Sequence, residues 1–107
     1  MNTEIKKPIE DAAKLLGLEV VDWRGSTPVA VDNQGLLHGF NPLDPERGDL
    51  MKVAEAAELE IRFNLLSVVF YGPAGLQVMI PFEKGDYQSL ALAVLRAASA
   101  VLRARGE

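Results

Sequence analysis

The chain of 107 residues contains no cysteine and only one histidine. The absence of cysteine excludes disulfides, thiolate catalysis, iron–sulfur clusters and cysteine-based zinc sites, and it suits a reducing cytosol. Long apolar runs are also missing, because no segment approaches the about 18 residues that a membrane-spanning helix needs. The N-terminal sequence MNTEIKKPIEDAAK lacks the apolar core of a secretion signal. We therefore expect a cytoplasmic protein without a membrane anchor.

Basic residues are too few and too dispersed to form a phosphate-binding face. The formal net charge is −4, with 11 Lys and Arg against 15 Asp and Glu. Nucleic-acid binding needs clustered positive charge, so we expect no direct contact with nucleic acid. The acidic excess is concentrated in residues 44–60, where six acids accompany two bases. This one segment contains an excess as large as that of the whole chain.

The composition is that of an ordinary globular protein, with 49% hydrophobic and 24% charged residues. We expect a single domain over residues 1–107, with a core that folds without a metal or a disulfide. Apolar spacing predicts a first helix that ends at Gly17. This helix is expected to start near Lys7, or alternatively at Thr3 with a bend at Pro8, because proline belongs in a first turn.

A middle helix is predicted over residues 45–58. Asp44 supplies a capping side chain, and Pro45 suits the first helical position. Gly48 would then lie inside the helix at a cost of about 1 kcal/mol. Helical spacing divides its residues into a buried stripe, formed by Leu50, Val53, Ala54 and Ala57, and a solvated side, formed by Asp49, Lys52, Glu55 and Glu58.

Short β-rich runs between turn sequences predict two three-stranded meanders, LEVVDW, TPVAVD and LLHGF, then EIRFNLL, SVVFYG and LQVMIPF. The run LLSVVFY has so few polar positions that we expect a central strand with both faces covered. Asp86 should cap a long last helix over residues 87–104. The predicted fold class is α+β, a mainly antiparallel sheet packed by helices in the order α-βββ-α-βββ-α.

The same order suggests an internal repeat. A shift of 41 residues aligns Leu18-Glu19-Val20 with Leu59-Glu60-Ile61, and a shift of 40 aligns Gly35-Leu36 with Gly75-Leu76. Chance matches of common residues are the alternative explanation. A true repeat would imply two similar sheet halves.

Several of these features together carry a resemblance. Leu-Glu-Val-Val at 18–21, Trp23, Phe40-Asn41-Pro42-Leu43, the Gly-Asp-Leu helix start at 48–50 and the alanine-rich last helix resemble small orphan proteins of tailed phages and prophages. The chain is similar to their ABA-sandwich type, in which a sheet is layered between helices. The resemblance implies a short phage gene product in the bacterial host cytosol that modulates a host or defence protein. It implies no cofactor and no assigned activity.

Candidate chemical sites are few, and each has a simpler structural interpretation. His38 could serve as a general base, but no nucleophile motif accompanies it, so we expect an edge-strand or loop-facing side chain. The acids near residue 45 lack the spacing of a calcium loop, and a solvated helix N-terminus explains them. Neither GPAG nor ERGD matches a phosphate-binding loop. Packing in the core or at its rim explains the aromatic residues better than base stacking does, namely Trp23, Phe40, Tyr71 and Phe82.

Two hypotheses for function follow, and a small enzyme ranks behind both because isolated surface carboxylates are poor acids or bases at neutral pH. The first is a non-enzymatic protein that binds a basic protein partner, as an anti-CRISPR inhibitor would, through an acidic surface formed by Asp44, Glu46, Asp49, Glu55 and Glu58. The second is a self-assembling homodimer, formed through the last helix or a sheet edge. Neither hypothesis requires a metal or a cofactor.

Overall fold

A computed structural model describes residues 3–106 and confirms the predicted order of elements. The helices are α1 (Thr3–Leu15), α2 (Asp49–Ala56) and α3 (Tyr87–Ala104). The strands are β1 (Glu19–Arg24), β2 (Thr27–Val31), β3 (Leu37–His38), β4 (Glu60–Arg62), β5 (Ser67–Tyr71) and β6 (Gln77–Pro81). A 3₁₀ turn over Pro73–Gly75 joins β5 to β6. None of the described helices combines the length and apolar character needed to cross a membrane.

The strands form two separate antiparallel sheets, with orders β1-β2-β3 and β4-β5-β6. Both are meanders, as predicted, because strands adjacent in sequence are hydrogen-bonded neighbours. The central position predicted for β5 is confirmed, and four of its residues are buried: Ser67, Val68, Val69 and Phe70. The three helices contact one another, α1 packs on β1, and α3 packs on β5 and β6. The core therefore lies among the helices and the inner faces of both sheets.

The start of α1 differs from the expected one. The helix begins at Thr3 and contains Pro8, so the favoured start near Lys7 is wrong. Pro8 cannot donate a hydrogen bond to the carbonyl four residues earlier, which costs about 3 kcal/mol in a helix interior. Burial offsets this cost, because Ile9 and Ala13 are both fully buried and a large buried aliphatic side chain contributes about 1.5–3 kcal/mol.

The start of α2 also differs, because the Asp-Pro-Glu sequence at 44–46 forms a turn. The Asp44 carboxylate accepts a hydrogen bond from the N–H of Glu46 at 3.0 Å, and the Asp44 carbonyl accepts one from Arg47 at 3.2 Å. Such local bonds give the backbone an alternative to a helix. The helix consequently begins at Asp49, with Gly48 at its N-cap and no capping side chain. The predicted penalty for an interior glycine does not apply.

The predicted division of this segment into buried and exposed residues is correct except at one position. The whole apolar stripe is buried, and Lys52, Glu55 and Glu58 are exposed. Asp49, predicted on the solvated side, is only 5% exposed. Its carboxylate can be buried because neighbouring groups donate hydrogen bonds to it and compensate its charge.

The last helix agrees with the prediction at both ends. Asp86 is its N-cap, and the Asp86 carboxylate accepts a hydrogen bond from the N–H of Ser89 at 3.1 Å. Ten of the 18 residues of α3 are buried, including Leu90, Val94 and Leu95. These residues are covered within a single chain. They are therefore not free to bind a second copy.

The helix ends support the internal repeat. The N–H of Leu18 donates to the carbonyl of Ala13 at 2.9 Å, and that of Leu59, 41 residues later, donates to Ala54 at 2.8 Å. The residue before each of these leucines has a positive φ, 76° at Gly17 and 57° at Glu58. Both helices thus end in the same left-handed cap.

The hairpin loops repeat as well. The N–H of Asp32 donates to Leu36 at 3.0 Å, and that of Gly72, 40 residues later, donates to Leu76 at 2.7 Å. The strand registers that follow are equivalent, since Val31 pairs with Leu37 and Tyr71 with Gln77. The two halves therefore share a helix cap and a hairpin, although the pairing of their first strands differs.

The shared cap generates a prediction about stability. A left-handed backbone costs a residue with a side chain roughly 1–2 kcal/mol, and glycine avoids that cost. We expect Glu58→Gly to raise the free energy of unfolding by up to about 1 kcal/mol. Gly17→Ala should lower the free energy of unfolding by about 1 kcal/mol. The cost comes from the backbone conformation and not from a clash, because an added Cβ would meet no atom within 4 Å.

Chemical denaturation measures both effects. Glu55→Gly is the matched control for Glu58→Gly, because it removes the same side chain inside α2 and should cost about 1 kcal/mol. A Glu58→Gly variant as unstable as this control would contradict the assignment of the cap.

A buried polar contact joins α1 to α3. Asp11 is 3% exposed, and its carboxylate accepts a hydrogen bond from the Ser99 hydroxyl at 2.9 Å. The Lys7 ammonium lies 3.1 Å from the same carboxylate. Among the described residues, no buried side-chain nitrogen or oxygen lacks a hydrogen-bond partner. Removing the hydroxyl would leave the buried carboxylate with fewer donors.

We expect Ser99→Ala to lower the free energy of unfolding by about 1–3 kcal/mol, because a bond to a charged group is lost in the interior. Ser26→Ala is the control, since Ser26 is exposed in the turn between β1 and β2. Equal stability of the two variants would show that the contact between Asp11 and Ser99 contributes nothing.

Candidate interaction surface

The five acidic residues predicted to bind a partner do not form one continuous patch. Asp44 and Glu46 lie in the turn before α2, Glu55 lies near the end of that helix, and Glu58 lies just beyond it. An eight-residue helix is about 12 Å long, so it separates the first pair from the second. Asp49 lies between the pairs and is buried.

Asp49 organises the segment instead of facing solvent. Its carboxylate accepts hydrogen bonds from Nε of Arg47 at 2.7 Å and from the N–H of Asn41 at 2.9 Å, and the Lys52 ammonium lies 4.0 Å away. Burial alone would raise the pKa of Asp49, but these bonds and the two positive charges outweigh it, so its pKa lies below the usual value of an aspartate. The carboxylate is therefore ionised and internally neutralised at pH 7.

Arg47 is positioned by close contact with the backbone of Gly39. A Cβ built on Gly39 would lie 2.6 Å from a terminal nitrogen of the Arg47 guanidinium, closer than atoms can approach. The absence of a side chain at Gly39 therefore leaves space for the guanidinium where it meets Asp49, and a Cβ there would displace the end of the Arg47 side chain. The hydrogen bond that Arg47 donates to Asp49 raises the pKa of Arg47 above its usual range.

The loop before α2 is also tied to α3. The Tyr87 hydroxyl donates to the carbonyl of Pro42 at 3.0 Å, and the Gln88 amide donates to that of Leu43 at 3.0 Å. Burial raises the pKa of Tyr87, and the nearby Asp44 and Asp49 carboxylates raise it further. The acidic turn is thus held in place from two sides.

Ion pairs among the described residues engage only two of the six acids of this segment. Glu60 is bound by Arg62 at 2.7 Å and 3.2 Å, and this hydrogen bond lowers the pKa of Glu60. Asp49 is paired as described above. No ion pair within 4.0 Å among the described residues includes the other four, which are Asp44, Glu46, Glu55 and Glu58.

An open groove of about 520 Å³ adjoins Glu58. Its lining is mainly apolar and includes Phe70, Val78 and Val101, with Arg105 also present. The Arg105 guanidinium donates to the carbonyl of Ala56 at 3.2 Å, so it lies beside the end of α2. Sequence reasoning missed this groove, because its walls come from three distant segments and no local motif marks them.

A second cleft, of about 330 Å³, contains the only histidine of the chain. His38 lies on the edge strand β3, as predicted, and its Nε2 is 2.8 Å from the Asp32 carboxylate. Hydrogen bonds from His38 and from the N–H groups of Leu36 and Gln34 lower the pKa of Asp32. An orienting acid is therefore present. The described residues that line this cleft include no serine, threonine or cysteine to act as a nucleophile.

Within residues 3–106, no three His, Asp or Glu side chains converge in a way that could hold a metal ion.

The four aromatic residues considered for base stacking differ in their burial. Phe40 and Phe82 are buried, so packing is confirmed for both. Trp23 is half-buried, with the Lys6 ammonium 5.2 Å from its ring centre. Tyr71 is 63% exposed and lines the open groove beside Glu58, so it lies at the rim and not in the core.

Comparisons with protein-family models, with curated proteins and with solved structures found no match to this chain. The resemblance to phage proteins therefore stays a prediction.

Asp49 generates a prediction about pH. Because the pKa of Asp49 is lowered in the folded state, its ionised form stabilises the folded protein fully at pH values above the unfolded-state pKa. This stabilisation disappears as the pH falls through the folded-state pKa. Asp49→Asn should therefore cost about 2 kcal/mol at pH 7, since bonds to charged groups contribute about 1.5–3 kcal/mol. The difference from the parent protein should shrink as the pH falls below about 4.

Urea denaturation at several pH values tests this prediction. Glu46→Gln removes one negative charge from the same segment without touching the Arg47 pair, and should change the free energy of unfolding at pH 7 by less than about 0.5 kcal/mol. A constant difference between Asp49→Asn and the parent down to pH 2 would contradict the role assigned to the carboxylate.

Proposed function

We propose that the protein acts by binding a basic surface of a protein partner, and not by catalysis. The observation that carries this proposal is the selective pairing within residues 44–60. Asp49 and Glu60 are neutralised within the chain, whereas Glu55 and Glu58 are exposed without an ion pair among the described residues. Exposed charges of one sign attract an oppositely charged partner over several ångströms.

The exposed side of α2 has further features of a binding surface. Met51 is 46% exposed and lies four residues before Glu55, so the two side chains are neighbours on the helix surface. Glu58 continues this row beyond the helix end. A flexible apolar side chain beside exposed charges suits an interface with a dry centre and a polar rim. Glu55 and Glu58 are therefore the residues on which the proposal depends most.

The resemblance to phage proteins suggests the biological setting. A small acidic protein made in the bacterial host cytosol could cover the nucleic-acid-binding surface of a host or defence protein, as an anti-CRISPR inhibitor does. The Glu55 and Glu58 carboxylates would then occupy positions that phosphates otherwise take on the partner's basic residues. The protein itself would not bind nucleic acid.

Charge reversal tests the proposal. A dominant partner is first recovered from nuclease-treated bacterial lysate with tagged protein, and its affinity is then measured with purified variants. We expect the double variant Glu55→Lys, Glu58→Lys to weaken binding at least tenfold, because two attractive contacts become repulsive. The parent affinity should also fall with added salt, since exposed charges are screened.

A matched control separates the surface from net charge. Glu19→Lys combined with Glu83→Lys makes the same change in charge at exposed positions outside this segment. This control should retain most of the affinity. Unchanged binding by the Glu55 and Glu58 double variant would refute the proposed surface.

A further inference from the structure

The two sheets leave four edge strands, which are protected unequally. Natural edge strands avoid pairing with other chains by being short, charged or bulged. β1 has charged residues and a register shift between Val20 and Asp22, β3 has two residues, and β4 has three residues that include the charged Glu60 and Arg62. β6 has five residues, and its pairing with β5 is regular. β6 therefore lacks these three protections, and its one blunting feature is the proline at its last position, Pro81.

The surroundings of β6 are also uncharged and partly apolar. No acidic or basic residue occurs between residues 72 and 82. Val78 is 37% exposed, Met79 46% and Leu76 69%. Apolar side chains are thus accessible on an edge strand of five residues that has no charge to repel another strand.

The hydrogen-bond pattern shows which backbone groups of β6 point away from β5. Leu76 accepts from Gly72 at 2.7 Å and Phe82 donates to Leu66 at 2.9 Å, which fixes the alternation along the strand. The even-numbered residues between them bond toward β5. The backbone groups of Gln77 and Met79 therefore point to the free edge, together with the carbonyl of Pro81, which has no N–H.

We propose that β6 pairs antiparallel with β6 of a second copy, about a two-fold axis at Met79. In this register every residue of the strand faces a residue of the other strand. The two Met79 residues exchange hydrogen bonds, and the N–H of Gln77 donates to the carbonyl of Pro81 in the second copy. The proposal goes beyond the acidic binding surface, because β6 contains none of its residues.

A second copy fits this edge because the pairing is self-complementary. A two-fold axis places each residue opposite itself or a near neighbour, so any charge in the strand would meet a like charge. The pairs here are Met79 with Met79, Val78 with Ile80, and Gln77 with Pro81, and all of them are neutral. The resulting six-stranded sheet would end at β4 on both sides. Since β4 is short and charged, assembly should stop at the dimer.

Sedimentation over a dilution series tests the proposal with the full chain. We expect the parent protein to dimerise from its 11.6 kDa monomer, and Met79→Lys to weaken the dimer at least a hundredfold. Met79 is partly exposed, so lysine should not disturb folding, and circular dichroism checks this. The control is Leu37→Lys, which adds the same charge at an exposed position of β3 and should leave the dimer intact.

A second variant tests the register. The parent has no cysteine, so Met79→Cys introduces a single thiol, and residues directly opposite in a hydrogen-bonded antiparallel pair lie close enough for a disulfide. Oxidation should link Met79→Cys into a dimer and leave Leu37→Cys unlinked. A monomeric parent at high micromolar concentration, a dimeric Met79→Lys, or open-ended aggregates of the parent would each overturn the proposal.

The two proposals fail independently. The double variant Glu55→Lys, Glu58→Lys should remain dimeric, and a monomeric Met79→Lys retains the whole acidic surface. Loss of partner binding by the Glu55 and Glu58 double variant, without loss of the dimer, would support the acidic surface. Loss of the dimer by Met79→Lys, without loss of partner binding, would support the β6 interface.

Discussion

The burial of α3 is the constraint on which the rest of the structure depends. This helix contacts α1, α2 and the second sheet, and more than half of its residues are inaccessible. Its many alanines let the neighbouring elements approach closely, while Leu90, Val94 and Leu95 fill the space between them. The first sheet reaches this core mainly through α1. Each half of the chain thus depends on α3 for a packing surface that its three strands alone could not supply.

The Asp49 carboxylate imposes a second constraint, which acts on the acidic segment. It binds the Asn41 backbone and the Arg47 side chain, and the absence of a side chain at Gly39 gives the guanidinium its space. One buried acid therefore determines how the turn, the start of α2 and the end of the first sheet meet. The same pairing removes Asp49 from the exposed surface and leaves the other acids to define its charge.

Two chemically different surfaces result. One is the exposed side of α2, where Glu55 and Glu58 lie beside Met51, and it is the surface that we propose for a basic partner. The other is the uncharged edge of β6, which suits a strand like itself. They belong to different elements, so a dimer formed through β6 would present two acidic surfaces at once. Such a dimer could engage a partner with repeated basic sites more tightly than a monomer does.

Much of the fold could be predicted from the sequence. Local signals were sufficient for the order of elements, for the cap at Asp86 and the length of α3, and for the central position of β5. Each of these depends on residues close together in the chain: a capping side chain, a helical period or an apolar run between turns. The repeat was visible in residues aligned at a fixed shift, such as Leu18-Glu19 with Leu59-Glu60, whereas the cap at Glu58 was seen only in the structure.

Tertiary structure decided what local signals could not. Pro8 remains inside α1 because the buried face of the helix offsets its missing hydrogen bond. A turn at Asp44 forms where a helix start was predicted. A short aspartate side chain can either cap a helix or close a turn, and the surrounding contacts select the turn. Asp49 followed the helical period of an exposed residue, yet Arg47 and Asn41 made its burial possible. The groove beside Glu58 has walls from three distant segments. The sequence by itself determined the elements and their order, whereas only the packing of distant residues determined which charges are neutralised and which strand edge is left open.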